Sequence, residues 1–227
     1  MKILCAGPVQ GHYTDLFKRA QDAQAHWIVA VGDFGIYPDP ARIDRAARPF
    51  TANEFAKRYV GAISEPINVP VLTISGVHDD NRWLAHRQSV NNAEILSNVH
   101  WLAQGYKTVI GFDLQIRVTG FGRAYSEATY NEQYGKKSHR HYTRRDVERA
   151  CSSGPTDLLV VYEHLDSPGI RNLVFATRPK LILTRFQHKN KNYPSIQGIP
   201  VVALDRLETR EIIWKETGIE GIHSQNS

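Results

Sequence analysis

The sequence predicts an α/β protein, a layered sandwich of two mixed β-sheets flanked by helices, and three observations predict it. Short runs rich in Val, Ile and Leu recur along the chain, helical stretches separate them through the first half, and from Lys180 onward strands crowd together with turns at Lys191-Asn192 and Ile196 to Gly198. Alternating strands and helices specify parallel strands with helices covering them. A strand-rich final third adds a second sheet packed on the first.

Taken in order, strands are predicted over Lys2 to Ala6, Trp27 to Val31, Pro70 to Ile74, Thr108 to Ile110, Leu114 to Thr119, Leu158 to Val161, Lys180 to Leu183, Pro200 to Leu204 and Glu211 to Trp214. Helix starts are readable between them. Thr51 with Glu54 has the form of a capping box, flanked by Phe50 and Phe55 as a hydrophobic staple, and Thr143 with Asp146 forms a second box with a shorter acid. Ser167-Pro168 marks another start, His12 opens a helix after Gly11, and a further helix begins near Asp79 or Asp80. One domain is expected over residues 1–217, with a flexible tail over 218–227.

Composition bounds the function classes. The chain has 227 residues, 41% hydrophobic and 22% charged, which excludes a disordered tail, a collagen or a minimal disulfide scaffold. The 28 Lys and Arg against 23 Asp and Glu leave +5, a mild basic excess that tolerates phosphorylated or nucleic-acid partners without demanding them. Cys5 and Cys151 are the only cysteines, read as reduced thiols in a cell. The apolar run at the N-terminus stops at Gly7-Pro8, too short for a signal-peptide core, and no later run reaches the ~18 residues of a membrane span. A cytoplasmic protein without membrane association is expected.

In open α/β sheets the ligand crevice lies outside the carboxyl ends of the strands. The residues just after each strand read Gly7-Pro8-Val9-Gln10-Gly11-His12, Gly32-Asp33-Phe34-Gly35, Gly76-Val77-His78-Asp79-Asp80, Tyr162-Glu163-His164 and Thr184-Arg185-Phe186-Gln187-His188. This series resembles the calcineurin-like metallophosphoesterases, whose strand-end motifs run Asp-x-His, Gly-Asp, Gly-Asn-His-Asp/Glu, a lone His and Gly-His-x-His. The resemblance spans Lys2 to Trp214, and within the superfamily the layout is most similar to the RNA lariat-debranching enzymes and their splicing-associated relatives.

The resemblance implies a phosphoester hydrolase whose two divalent ions, bridged by the Gly-Asp aspartate, activate a water. The departures remove most of that machinery. Pro8 stands for the first Asp and Gln10 for the first His; Asp33 is kept; Val77 replaces the Asn; Tyr162 replaces the lone His; Arg185 and Gln187 replace the final pair. Proline, valine and arginine have no lone pair for a hard or borderline cation. No metal cofactor is therefore expected at these vestigial positions, and Arg185 is read as supplying the missing positive charge beside Asp33. The alternative is a relocated single-metal centre holding Mn, Fe or Zn through Asp33, His164 and His188, with His12 and His78 as further candidates. In an active enzyme of this kind His78 would donate the leaving-group proton with Asp79 as its acidic partner; otherwise His78 serves the turn before a helix.

Arg123 to Tyr142 reads as one long loop carrying Arg123, Tyr125, Tyr130, Tyr134, Lys136, Lys137, His139, Arg140, His141 and Tyr142, with Arg144 and Arg145 just beyond. Cations interleaved with tyrosines suit single-stranded nucleic acid, the cations meeting phosphates and the rings stacking on bases; the alternative is a solvated charged loop. Three functions follow as expectations: a pseudo-phosphoesterase that binds a protein, nucleic acid or phosphorylated ligand; a phosphodiesterase or phosphatase with the single-metal centre; and an oligomerising module using apolar surface around Trp83, Trp101 and Tyr106.

Overall fold

Period-two alternation along the strands sorts side chains into the layers of the molecule. The computed structural model describes residues 1–89, 94–131, 139–185 and 195–224. In β1 (Lys2–Ala6), Ile3 and Cys5 face a core shared with Leu158, Val160, Leu181 and Leu183 of the opposite sheet. Leu4 and Ala6 face the other way, onto Tyr13, Leu16 and Phe17 of α1 (Tyr13–Asp22).

One sheet has seven strands. Its centre is parallel: β1, β2 (Trp27–Ala30), β3 (Val71–Thr73) and β5 (Val99–Trp101) lie side by side, with β4 (Glu94–Leu96) antiparallel at the far edge. On the other flank of β1, β12 (Thr209–Lys215) and β13 (Gly218–Ser224) follow antiparallel. The second sheet has six strands in the order β10 (Ser195–Ile196), β11 (Ile199–Leu204), β9 (Leu181–Arg185), β8 (Leu158–Val161), β7 (Ile116–Phe121), β6 (Lys107–Ile110), parallel except at its two outer strands. Helix α1, with Phe55 of α2 (Glu54–Tyr59) and Leu84 of α3 (Asn81–Ser89), covers the outer face of the seven-stranded sheet. On the outer face of the six-stranded sheet lie α5 (Arg144–Ser152) and α6 (Ile170–Thr177), through Val147, Ala150, Leu173 and Val174. The expected α/β sandwich of two mixed sheets flanked by helices is the observed architecture.

All nine predicted strands are present, most with ends shifted by one or two residues. The tail expected over 218–227 is corrected for Gly218–Ser224, which pairs with β12 from Lys215 to Arg210 and closes that edge of the sheet; residues 225–227 lie outside the described residues. Its strand character comes from that pairing. Among the described residues no helix is long and apolar enough to cross a membrane.

The Thr143 capping box forms: the Thr143 hydroxyl accepts from Asp146 N, and Asp146 Oδ2 accepts from Thr143 N at 2.9 Å. The Thr51 box does not. Glu54 instead accepts from the amide and the hydroxyl of Thr14, both at 2.9 Å, so its carboxylate serves the first turn of α1 rather than its own helix. Phe50 is 47% exposed and makes no staple with buried Phe55. Helix α6 begins two residues after Pro168, with Gly169 as its N-cap. Of the apolar surface expected around Trp83, Trp101 and Tyr106, Trp101 is in the core and Trp83 packs edge-on against Phe55 and Tyr59 at 5.9 and 5.7 Å, while Tyr106 is 45% exposed.

At the amino ends of the six-stranded sheet's central strands, the Asp157 carboxylate ties two neighbours together. It accepts from Arg117 N and Nε at 3.0 and 2.9 Å, and Lys180 Nζ lies 3.2 Å from its other oxygen. Burial alone would push this carboxyl up, but the hydrogen bonds from Arg117 and Lys180 outweigh it and hold the group at about 2. Because the folded value lies below the ordinary carboxylate value, the stabilisation is present above about pH 4 and is lost as pH falls toward 2. Asp157→Asn is expected to cost about 2 kcal/mol at neutral pH and nothing near pH 2. Urea denaturation of both proteins at several pH values measures this, and a gap independent of pH would contradict it.

Candidate crevice at the strand ends

The parallel strands of the two sheets bring their carboxyl ends to the same edge, and the candidate residues follow from which strand each one leaves. Asp33 leaves β2, His78 and Asp79 leave β3, Tyr162 leaves β8, and Arg185 closes β9. Asp33 is 3% exposed, a carboxylate held between the two sheets. Its Oδ1 accepts from His78 N at 2.7 Å and its Oδ2 accepts from the Tyr162 hydroxyl at 2.9 Å. Arg185 lies over the Tyr162 ring, 4.0 Å from guanidinium carbon to ring centroid, and donates from Nε to Tyr162 O at 3.1 Å. The expected charge compensation thus takes a different form: the arginine stacks on the tyrosine that binds Asp33. Burial raises the Asp33 carboxyl above its ordinary value, opposed by the charges of His78 and Arg185 and by the bonds from His78 N and Tyr162. A side chain at position 76 is excluded, since a Cβ there would sit 2.0 Å from Asp33 Oδ1.

Asp79 is not the partner of His78. Its carboxylate is buried and accepts four backbone amides: Gly35 and Ile36 at 2.7 and 2.9 Å on Oδ1, Gly76 and Phe34 at 2.8 and 3.2 Å on Oδ2. It clamps the loop after β2 to the loop after β3. Burial and the charge of Asp33 push this carboxyl up, and the amides work against them. The acid beside His78 is Asp44, whose Oδ2 lies 2.9 Å from His78 Nδ1 and 3.4 Å from Arg140. Burial pushes Asp44 up, but the bonds from His78 and Ala47 N together with the two positive charges hold it below its ordinary value. Asp44 escaped sequence reasoning because it stands in the irregular stretch between β2 and α2, where no spacing points to it.

The donor set does not fit a pair of divalent ions. Pro8 and Val77 carry no donor, Arg185 is a cation, and both oxygens of Asp33 accept from protein groups. Gln10 approaches through its backbone, donating to Asp33 O at 2.9 Å. For the single-metal alternative, His164 is exposed while Asp33 is buried, and Gln187 and His188 lie outside the described residues. Among the described residues no group of three or more His, Cys, Asp or Glu side chains is placed to hold a metal ion.

The basic segment is not one long loop. A short helix, α4 (Glu127–Tyr130), interrupts it, and the rings of Tyr125, Tyr130 and Tyr142 pack on one another with centroids 5.6 to 6.0 Å apart. Tyr142 is fully buried, whereas Tyr125 and Tyr130 are half-buried at its side. Arg144 stacks on Tyr130, Arg145 is exposed in the first turn of α5, and Arg123 is drawn inward with its amide bonded to Ser75 O at 2.9 Å. Tyr134, Lys136 and Lys137 lie outside the described residues.

No family model and no curated protein matches this chain. Solved structures do. One crystal structure aligns over 99% of this chain and 99% of its own length at 14% identity, with a TM-score of 0.60. Another, TT1561 of Thermus thermophilus, aligns over 93% of each chain at 14% identity and a TM-score of 0.57. Both likenesses show the fold.

Tyr162→Phe keeps the ring under Arg185 and removes only the donor to Asp33. It is expected to destabilise the protein by about 1–3 kcal/mol, because a buried carboxylate oxygen loses its partner. Chemical denaturation at neutral pH checks this, and unchanged stability would mean that Asp33 does not depend on the hydroxyl.

Proposed function

We propose that this chain is a metallophosphoesterase-fold protein without the dimetal centre, acting as a binding module for phosphorylated ligands rather than as a hydrolase. The observation that carries the reading is the state of Asp33. The one carboxylate retained at an inherited ligand position spends Oδ2 on the Tyr162 hydroxyl and Oδ1 on the His78 amide. A bridging ligand needs both oxygens turned to metal, whereas here they serve as hydrogen-bond acceptors inside the fold. The strand-end series from Gly7 to Arg185 supplies the lineage, and the sandwich of two mixed sheets supports it.

In this arrangement the protein replaces metal charge with Arg185, relayed to Asp33 across an aromatic ring, and keeps a crevice at the strand ends without an activated water. His78 keeps an acidic partner in Asp44, but a proton donor accelerates ester cleavage only beside a nucleophile. Purified protein is expected to give no cleavage of bis-p-nitrophenyl phosphate above the no-protein background with Mn, Fe or Zn, and the same result as Asp33→Asn. Chelator-sensitive turnover that disappears in Asp33→Asn would overturn the proposal in favour of a working metal-dependent esterase.

A further inference from the structure

Beside the Asp33 crevice, between the loop after β2, the start of α3 and the segment before α5, lies a cavity of about 300 Å³. Three arginines line it, Arg42, Arg82 and Arg140, together with Tyr37, Asn81 and His139. The geometry points to this cavity as a metal-free site for a phosphomonoester dianion, held by guanidinium groups rather than by cations. The inference rests on the reading of the chain as a module for phosphorylated ligands and says where such a ligand sits.

The charges around the cavity leave room for an anion. Asp79 and Asp80 also border it, but Asp79 is engaged by four backbone amides, and Asp80 pairs with Arg42 at 2.9 Å while capping α3 through Trp83 N at 3.0 Å. Arg140 pairs at 3.4 Å with Asp44, which is outside the set of lining residues. Arg82 has no carboxylate partner among the described residues, and Arg123 holds a buried Nε that makes no hydrogen bond among them. Their two positive charges fall on His139, which burial and both arginines push below its ordinary value. A planar guanidinium matches two phosphate oxygens at once, which is why arginines gather where such groups bind.

Asn81 donates its amide to Gly76 O and Asp79 O, which holds the start of α3 against the loop after β3 at the cavity's edge. A nucleic-acid strand is disfavoured, because a volume of about 300 Å³ lies at the small end of ligand pockets.

Titration calorimetry of the full chain with inorganic phosphate tests this. Saturable one-to-one binding is expected, weakened about tenfold or more in Arg82→Ala and unchanged in Arg171→Ala, an exposed arginine on α6. Arg82 is exposed, so a melting temperature equal to the parent's confirms that the variant is folded. Absence of saturation by phosphate, or equal binding by Arg82→Ala, would overturn the site while leaving the metal-free reading to its own turnover test. An oligothymidylate without terminal phosphate that binds more tightly than phosphate would overturn it in favour of a strand-binding surface. Phosphate binding abolished by chelator would sink the metal-free reading instead.

Discussion

A carboxylate held between two apolar sheets is the constraint on which the strand-end region is built. Removing such a group from water costs several kcal/mol unless hydrogen bonds and charge replace the lost solvation. Asp33 obtains a phenol, an amide and a cation one ring away. Each provision fixes something else. The phenol requires an aromatic residue at the end of β8, the amide requires the loop after β3 to fold back over Asp33, and that fold-back leaves space at position 76 only for glycine. Asp79 then staples the same two loops through four amides, so two neighbouring acids shape the crevice by opposite means, one bonded mostly to side chain and charge, the other wholly to backbone.

Most of the fold was legible because buried strands declare themselves. Leu158 to Val161 and Lys2 to Ala6 are apolar on both faces, since each is covered by the opposite sheet on one side and by helices on the other. The edge strands β4 and β13 carried no such mark. Glu94–Leu96 and Gly218–Ser224 are partly exposed, and their conformation is imposed by the neighbour they pair with. Glu54 shows the same limit at the helix ends. Its spacing from Thr51 fits a cap, yet the carboxylate found unpaired amides on a different helix, a contact forty residues apart in sequence.

The site was legible in its positions and less so in its partnerships. Reading the residues after each strand located Asp33, His78, Tyr162 and Arg185, which the fold does bring to one edge. The acid next in sequence to His78 was the natural partner by proximity, but a turn directs Asp79 into the backbone and leaves the imidazole to Asp44. Arg82 and Tyr37 carried no motif; they are assembled only because α3 begins where the loop after β2 returns. In the basic segment composition records that rings and cations alternate, while packing decides that Tyr142 is buried and that Tyr125 and Tyr130 lean on it.

The six strands of the second sheet all come from the stretch between Lys107 and Leu204, whereas the seven-stranded sheet draws β1 to β5 from one end of the chain and β12 and β13 from the other. The order of assembly is constrained accordingly. Joining β12 to β1 directly would close a loop of nearly the whole chain, but a second sheet already formed shortens the free path between them and lowers the entropy lost in bringing them together. The contiguous half is thereby placed to act as a template, and the interrupted half to be the last to lock.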